Sequence, residues 1–275
     1  MMKKAKVLFV SQEIIPYLEE SHIGRISRYL PQGIQEKGKE VRVFMPRFGC
    51  INERRNQLHE VIRLSGMNII IDDNDHPLVI KVASIQSARM QVYFIDNEDY
   101  FHRKSVFYDK NQVFFKDNDE RAMFFAKGVI ETVKKLGWGP DIVHCHGWMS
   151  SLVPLYLKTL YKDNPIFAET KVVYSLYNDE FPGELDKNFE KKIKSDGINE
   201  ELNYYKEATF ENISKAAIDF SDGIIIGCPD MNPQILKYAH SSGKPLLGYH
   251  DFDTYIDAFS DFYDDILIQD SVLSE

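Results

Sequence analysis

The sequence contains only three cysteines, Cys50, Cys145 and Cys228, and no CxxC pair. Their number is odd and they lie far apart, which argues against a zinc knuckle because such a site needs closely spaced thiolates. Scattered cysteines are typical of proteins in a reducing compartment. We therefore expect a cytoplasmic protein.

Long hydrophobic runs and positive charge are also scarce. The apolar run at residues 7–10 is too short for a signal peptide, and no segment approaches the roughly 18 apolar residues of a membrane-spanning helix. The 33 Lys and Arg residues face 42 Asp and Glu residues, which gives a formal net charge of −9. Because binding to nucleic acids or anionic membranes requires clustered positive charge, we expect neither as a partner.

The most informative stretch is residues 141–148, Asp-Ile-Val-His-Cys-His-Gly-Trp. Its β-branched run follows Gly139 and Pro140 and predicts a buried strand of a parallel sheet, with a helix beginning near Trp148. His144 and His146 then lie where the strand gives way to the helix. Ligands of open α/β sheets bind at the carboxyl ends of strands, so this position suits a binding site.

Strand and helix patterns alternate along the rest of the chain. Residues 6–10 and 41–46 predict strands, and the apolar residues between them recur at helical spacing, with Pro31 expected to kink or restart the helix. The β-α-β order implies parallel strands joined by a right-handed crossover. The first loop lacks GxGxxG, so the dinucleotide-binding fingerprint is absent.

Two segments depart from this alternation. Residues 58–96 contain four short β-rich runs (58–64, 67–71, 78–85 and 90–95) separated by turn signals, which predicts hairpins. Residues 97–117 form a long loop rich in Tyr and Phe, and residues 187–194 form a lysine-rich stretch that we expect to be solvated. The predicted fold is α/β, a Rossmann-like parallel sheet flanked by helices with a β-hairpin insertion. Residues 1–250 form one domain, and 251–275, with eight acidic and no basic residues, a solvated, partly helical tail.

The order of motifs resembles the N-terminal half of bacterial glycogen synthases and plant starch synthases, which are GT-B glycosyltransferases built from two Rossmann-like domains. The resemblance covers roughly residues 5–235. It rests on residues 6–16, Pro31 with 38–45, 107–109, 117–126, 140–152, 172–183 and 214–229. It implies that the chain is one half of a GT-B fold. The second domain of that family, which holds most of the nucleotide pocket, is expected to begin where this sequence stops.

Several positions depart from the family's motifs. The family's first loop carries Lys-Thr-Gly-Gly-Leu, which closes on the donor's phosphates, whereas this sequence has Glu19-Glu20-Ser21-His22-Ile23. Two glutamates would repel an anionic donor. The family's His-Asp-Trp-His appears as His-Gly-Trp-Met at residues 146–149, and its Val-His-Asn as Leu-Tyr-Asn at 176–178. Arg25 and Arg28, one turn apart on the first helix, could restore some positive charge near the pocket.

The resemblance also implies candidate site residues. His146 would be the catalytic-site residue and contact a sugar hydroxyl, Tyr108 and Asp109 would line an acceptor groove, and Trp148 and Asn178 would bind sugar by stacking and hydrogen bonding. Each has a structural alternative: a histidine satisfied by backbone, a loop anchor, a packed tryptophan or a turn residue. His144 is expected to pack in the core. Two histidines without further ligands do not make a zinc site, so neither metal nor cofactor is expected.

Three functions fit these observations. The first is a relative of the synthase N-terminal domain that is inactive by itself. It would act in glucan metabolism as a binding or regulatory subunit, with α-1,4-glucan or maltooligosaccharide as its partner. The second is an active half that transfers glucose from ADP-glucose once a separate chain supplies the nucleotide-sugar-binding domain. The third is an interaction module that kept only the scaffold, because a fold does not fix a function.

Overall fold

The computed structural model of the chain describes residues 4–200 and 202–273. Its strands are β1 (Lys6–Ser11), β2 (Glu40–Pro46), β3 (His59–Glu60), β4 (Met67–Ile71), β5 (Asn74–Ile85), β6 (Met90–Asp96), β7 (Ile142–His146), β8 (Lys171–Leu176), β9 (Gly223–Ile226) and β10 (Leu246–Leu247). Its α-helices are α1 (His22–Glu36), α2 (Glu98–Phe101), α3 (Asn118–Leu136), α4 (Leu152–Lys158), α5 (Phe189–Ser195), α6 (Phe210–Asp219), α7 (Pro233–Ser241) and α8 (Tyr255–Leu273).

The strands form one sheet in the order β10-β9-β8-β7-β1-β2-β6-β5-β3, with β4 paired to β5 alone. Neighbours from β10 to β6 are parallel, whereas β3, β4 and β6 each pair with β5 in antiparallel fashion. The central parallel strands β1, β7 and β8 are almost wholly buried, as strands covered by helices on both faces must be. The predicted α/β fold with a parallel sheet is confirmed.

The first β-α-β unit sets the geometry of the carboxyl edge. The side chain of Ser21 accepts a hydrogen bond from the backbone of Gly24 and begins α1. Pro31 lies within α1, which continues to Glu36 without the expected restart. The apolar positions Ile26, Leu30 and Ile34 are buried against the sheet. Strands β1 and β2 therefore lie side by side and point in the same direction.

The hairpin region differs in detail from the prediction. The first of its runs contributes only the two-residue strand β3, because residues 62–64 form a turn instead. Strands β5 and β6 form an antiparallel hairpin whose turn ends at Arg89, in the left-handed conformation with φ of 50°. Strand β6 also pairs with β2, so the last strand of the predicted insertion is part of the parallel sheet.

The acidic end of the chain is not the solvated tail that its composition suggests. Tyr255, Phe259, Tyr263 and Ile266 recur at helical spacing in α8, and all are buried. A Cβ atom on Gly33 of α1 would collide with Ile256, so the two helices pack closely. The apolar periodicity therefore decides that this segment packs on the protein despite its negative charge, because the aspartates can occupy the opposite side of the helix.

The lysine-rich stretch at 187–194 is only partly solvated. Lys192 is 7% exposed, and its Nζ donates to Asp119 Oδ2 and Glu120 Oε1, each at 2.7 Å. These carboxylates lie in the first turn of α3, where the helix dipole also favours negative charge. The expectation of a solvated lysine face was wrong for this residue, because it anchors α5 to α3.

Candidate functional site

The loops that follow β1, β7, β8 and β9 meet at the carboxyl edge of the sheet. Because these strands are parallel neighbours, their last residues lie side by side: Ser11 is opposite His146, and His146 is opposite Ser175. The crevice that the sequence predicts at this edge therefore exists.

His144 and His146 share one face of β7, with ring centroids 3.9 Å apart. His144 is fully buried and hydrogen bonds through Nδ1 with Tyr263 Oη at 2.6 Å and through Nε2 with Ser175 Oγ at 2.7 Å. Burial lowers its pKa well below the usual value. Both nitrogens are occupied, so His144 is a structural residue that ties β7 to β8 and α8.

His146 is also fully buried, but only one of its nitrogens is satisfied. Nδ1 hydrogen bonds with Tyr177 Oη at 2.7 Å, whereas Nε2 has no hydrogen-bond partner among the described residues. Burial lowers the pKa of the imidazole to about 3, so the ring is neutral at physiological pH. A neutral ring with one free nitrogen can make a hydrogen bond to a hydroxyl group, although His146 does not reach the protein surface in this structure.

Gly147 makes the turn after β7. Its φ of 84° and ψ of 158° lie in a region that only glycine adopts readily, and a Cβ atom there would collide with Gln12. Gln12 Oε1 accepts a hydrogen bond from Met149 N at 3.1 Å, and its Nε2 donates to Glu13 Oε1 at 3.0 Å. The first loop and the turn after β7 are thus held together by one buried amide.

Asp179 is a further residue at this edge, and no sequence motif singles it out. Its Oδ2 accepts a hydrogen bond from Trp148 N at 2.8 Å, at the start of the turn before α4. Burial raises the pKa of this carboxyl from 3.8 to about 7, and the nearby Glu13 carboxylate adds to the increase. In the sequence, only its position directly after Asn178 at the end of β8 indicates that Asp179 belongs to the site, because its burial depends on the tertiary fold.

Trp148 lies in an aromatic cluster and is 2% exposed. Its ring centroid is 4.9 Å from that of Phe107, 5.8 Å from that of Phe114 and 5.0 Å from that of Phe181. These partners come from the aromatic loop and from the segment after β8. The tryptophan therefore anchors two loops beneath the site and offers no exposed face for stacking on a sugar in this structure.

Two clefts open at this edge, and Glu13 and Ser21 line both of them. The larger has a volume of about 930 Å³ and lies between the first loop and the aromatic loop. The smaller has a volume of about 410 Å³ and lies between the start of α1 and the ends of β8 and β9. The carboxylate of Glu13 accepts hydrogen bonds from Gln12 and Ser21, which fixes a negative charge at the boundary between the clefts.

The five predicted site residues lie in three different surroundings: the larger cleft, the smaller cleft and the protein interior. Tyr108 and Asp109 line the larger cleft, and the exposed Asn178 lines the smaller. Asp109 Oδ1 also accepts hydrogen bonds from the backbone of Asn111 at 2.7 Å and Val113 at 3.0 Å, which shapes the aromatic loop. His146 and Trp148 are buried. The five residues thus belong to one edge but do not form one surface, and their roles in binding stay predictions.

The arginines of α1 do not supply positive charge to either cleft. The guanidinium of Arg25 lies over the ring of Phe252 at 4.1 Å, and Arg28 donates to Gln32 at 2.9 Å and Ser87 at 3.0 Å. Neither residue lines a cleft. The larger cleft draws its cations from Arg55, Lys104 and Lys110 instead.

Among residues 4–200 and 202–273, no group of three or more His, Cys, Asp or Glu side chains is arranged to hold a metal ion. None of the helices in those ranges is long and apolar enough to cross a bilayer.

Comparisons with known proteins agree with the architecture. A family model described as starch synthase catalytic domain matches residues 6–246. Glycogen synthase of Chlorobium limicola is 42% identical over 174 residues, which cover 63% of this chain and 36% of the relative. Glycogen synthase of Chlorobium phaeovibrioides is 36% identical over 231 residues, which cover 84% of this chain and 47% of the relative. The chain thus spans half or less of the length of these curated relatives.

A solved structure supports the fold independently. The catalytic domain of starch synthase IV from Arabidopsis thaliana, bound to ADP and acarbose, superposes with a TM-score of 0.71 at 17% sequence identity. The match covers 92% of this chain and 53% of that chain, as expected if the chain corresponds to one half of a GT-B glycosyltransferase. The family model matches most of the chain, and the chain belongs to the starch synthase catalytic domain family.

Proposed function

We propose that this chain is a glucan-binding or regulatory member of the family that does not transfer glucose by itself. The observation that carries the proposal is the charge of the first loop. Glu19 and Glu20 are exposed and line the larger cleft, at positions where the resemblance places the lysine and threonine of the donor loop.

The negative charge of these glutamates disfavours an anionic ligand. A nucleotide diphosphate is anionic, and two like charges about 4 Å apart repel by about 1 kcal/mol in bulk water and about 4 kcal/mol near a protein surface. Glu13 adds a third carboxylate at the same edge. A neutral oligosaccharide carries no such penalty, because its hydroxyl groups can donate hydrogen bonds to carboxylates.

The start of α1 also differs from a phosphate-binding loop. His22 and Ser21 stand where the resemblance has two glycines, whose lack of side chains lets a backbone approach phosphate closely. His22 Nε2 hydrogen bonds with the backbone oxygen of Gly227 at 2.7 Å, and its ring lies 5.2 Å from that of Phe252. The side chain therefore spans the gap between α1 and the end of β9 and fills space beside the smaller cleft.

The larger cleft has the components of a sugar-binding groove. Tyr17, Phe107 and Tyr108 line it together with polar and charged side chains. Aromatic rings provide apolar faces and polar edges of the kind that sugar rings contact. This combination favours an α-1,4-glucan or a maltooligosaccharide as the ligand, over a scaffold that binds no sugar.

The test is co-sedimentation with glycogen together with an assay of glucose transfer from ADP-glucose. The purified chain is expected to co-sediment without measurable transfer. Tyr108→Ala should weaken co-sedimentation by about tenfold, a loss of about 1.4 kcal/mol, whereas Tyr249→Ala, an exposed tyrosine outside both clefts, should not. Transfer by the chain alone would contradict the proposal, and so would failure to co-sediment.

One observation favours the alternative of an active half. Arg55, Lys104 and Lys110 line the same cleft and could face the phosphates of a donor held by a separate chain. That alternative predicts glucose transfer when a nucleotide-sugar-binding chain is added, and loss of this transfer in Lys104→Gln. Our proposal predicts no transfer in the presence of the added chain, for the wild type or for Lys104→Gln.

A further inference from the structure

A third cleft lies at the opposite edge of the sheet, where β1, β2 and β6 begin. Its volume is about 610 Å³, and its lining includes four cationic side chains, Lys4, Lys39, Arg42 and Arg89, but a single carboxylate, that of Glu40. Because these strands are parallel neighbours, residues near their amino ends converge even though they are far apart in sequence. Such a concentration of positive charge is unexpected in a chain whose formal net charge is −9.

Most of this positive charge is not neutralised. Lys39 pairs with Asp264 of α8 at 3.0 Å. No ion-pair partner occurs for Lys4, Arg42 or Arg89 among the residues that the structure describes. The carboxylate of Glu40 accepts a hydrogen bond from the neutral indole of Trp138 through Nε1 at 2.5 Å and balances one of the cations at most. The cleft therefore presents a positive field that an anion can neutralise.

Arg42 is held in place but is not fully hydrogen bonded. Its guanidinium carbon lies 5.1 Å from the ring centre of Trp138 and 5.7 Å from that of Tyr93, and Nη1 donates to Tyr93 Oη at 2.7 Å. Its Nε is buried and has no acceptor. Proteins rarely leave a buried donor unpaired, because the group has lost water without gaining a partner. The planar fork of an arginine matches two oxygens of a phosphate, so the accessible part of this half-buried guanidinium can bind an anion in the cleft.

The other lining residues indicate what accompanies the anion. Arg89 is exposed at the end of the β5–β6 turn, and Lys4 is exposed just before β1, so both can approach a ligand from the rim. Gln35 and Gln91 are exposed and place side-chain amides in the lining, which can donate to and accept from hydroxyl groups. The volume lies within the range of small-molecule sites.

We propose that this cleft binds a small phosphate-bearing molecule, with Arg42 and Arg89 as the main phosphate contacts. The site is separate from the sugar clefts, because the parallel strands between them run the full depth of the sheet. At about 3.3 Å per residue, the seven residues of β2 set the two edges about 20 Å apart. The inference does not depend on the proposed function.

Calorimetric titration of the chain with inorganic phosphate tests the proposal, with ionic strength kept constant by chloride. Saturable one-to-one binding is expected. Arg89→Gln and Lys4→Gln change exposed residues and should fold normally, and each should weaken binding by about five- to tenfold. Arg42→Lys keeps the charge but removes the fork, and should weaken binding by at least about tenfold. Arg63→Gln, an exposed arginine outside the cleft, removes the same charge and should change binding less than about twofold.

Several results would overturn the proposal. Absence of saturable phosphate binding would do so, as would full binding by the Arg89→Gln and Lys4→Gln double variant. Equal weakening by Arg63→Gln would show that diffuse charge, not this cleft, attracts the anion.

A second titration examines the organic part of the ligand. Glycerol 3-phosphate should bind more tightly than inorganic phosphate, while glycerol should not bind measurably. Gln91→Ala should remove the advantage of glycerol 3-phosphate and leave phosphate binding unchanged. If glycerol 3-phosphate binds no more tightly than phosphate, the cleft recognises only the phosphate group, and the hydroxyl contacts assigned to Gln35 and Gln91 are wrong.

Discussion

The imidazole of His146 and the carboxyl group of Asp179 are two titratable groups at the carboxyl edge, and burial changes both. Burial lowers the pKa of His146 to about 3 and raises that of Asp179 to about 7. Each shift favours the neutral form of its group. At pH 7 the imidazole of His146 is therefore uncharged and the carboxyl group of Asp179 is about half ionised, whereas Glu19 and Glu20 are exposed at the same edge.

The state of His146 can be tested through the pH dependence of stability. Between about pH 6.5 and pH 3 the unfolded chain binds a proton at this residue and the folded chain does not. The free energy of unfolding therefore falls as the pH falls, by at most about 1.4 kcal/mol per pH unit. His146→Gln removes this contribution, so the stability gap between wild type and variant should narrow from pH 7.5 to pH 5. Urea denaturation at both pH values measures the gap, and a gap that does not change with pH would mean that His146 titrates normally.

Asp179 should show the opposite trend. The folded chain holds a proton at this carboxyl up to about pH 7, whereas the unfolded chain releases it near 3.8, so wild type loses stability as the pH rises through this window. Asp179→Asn keeps an oxygen that can accept from Trp148 N but does not ionise. Relative to wild type, the variant should become steadily more stable between pH 4 and pH 7 and level off above. Thermal melts across this range provide the measurement, and a constant difference would contradict the raised pKa.

Gly147 combines a conformational and a steric requirement that can be separated. Gly147→Ala should destabilise the chain by more than the about 1–3 kcal/mol of the backbone conformation, because the new Cβ also meets Gln12. Gly183→Ala, at a φ of 70° with open space around it, is the control for conformation alone. The excess should largely disappear in a Gln12→Ala background. Equal effects of the two glycine substitutions would mean that Gln12 does not pack on Gly147.

Among the elements of the fold, α8 supports a residue next to the site although it lies farthest along the sequence. It supplies Tyr263, which hydrogen bonds with His144, and Phe259, whose ring lies 5.9 Å from the same imidazole. It also provides Asp264, the partner of Lys39 at the amino edge. This one helix therefore contacts residues linked to both edges of the sheet.

Removing the Tyr263 hydroxyl measures the contribution of α8. Tyr263→Phe leaves a buried nitrogen of His144 without a partner and should cost about 1–3 kcal/mol of unfolding free energy. Tyr249→Phe, at a tyrosine that is 38% exposed, should change stability by less than about 0.5 kcal/mol. Chemical denaturation of both variants compares them. Equal stabilities would indicate that α8 does not pack on β7 in solution.

The elements were predictable to different degrees. Short β-branched runs and helical periodicity predicted β1, β2, β7 and α1, because burial on a sheet imposes those patterns directly. Strand alternation places His144 and His146 on one face of β7. The docking of α8 was not predicted, because the acidic composition of this segment suggested a solvated tail. Its apolar periodicity would have indicated a packed helix. Asp179 and Arg42 were missed for another reason: their environments depend on contacts between distant segments.

At the scale of the whole molecule, the two edges of the sheet differ in their balance of charge. Four carboxylates (Glu13, Glu19, Glu20 and Asp109) and three cations line the larger cleft at the carboxyl edge, whereas four cations and one carboxylate line the cleft at the amino edge. The two clefts lie apart because the parallel strands end at one edge and begin at the other. The edge expected to bind a sugar donor is thus the one least suited to an anion.

The most direct test of the proposed function is a thermal-shift comparison of ADP-glucose, ADP and a maltooligosaccharide on the Arg89→Gln and Lys4→Gln double variant, in which the cleft at the amino edge no longer binds phosphate groups. A ligand that binds only the folded state raises the melting temperature, with a stabilisation of about 2.7 kcal/mol at a hundredfold excess over its Kd. We predict that the maltooligosaccharide raises the melting temperature and that ADP-glucose and ADP do not. A shift with ADP-glucose that equals or exceeds the shift with the maltooligosaccharide would contradict the account.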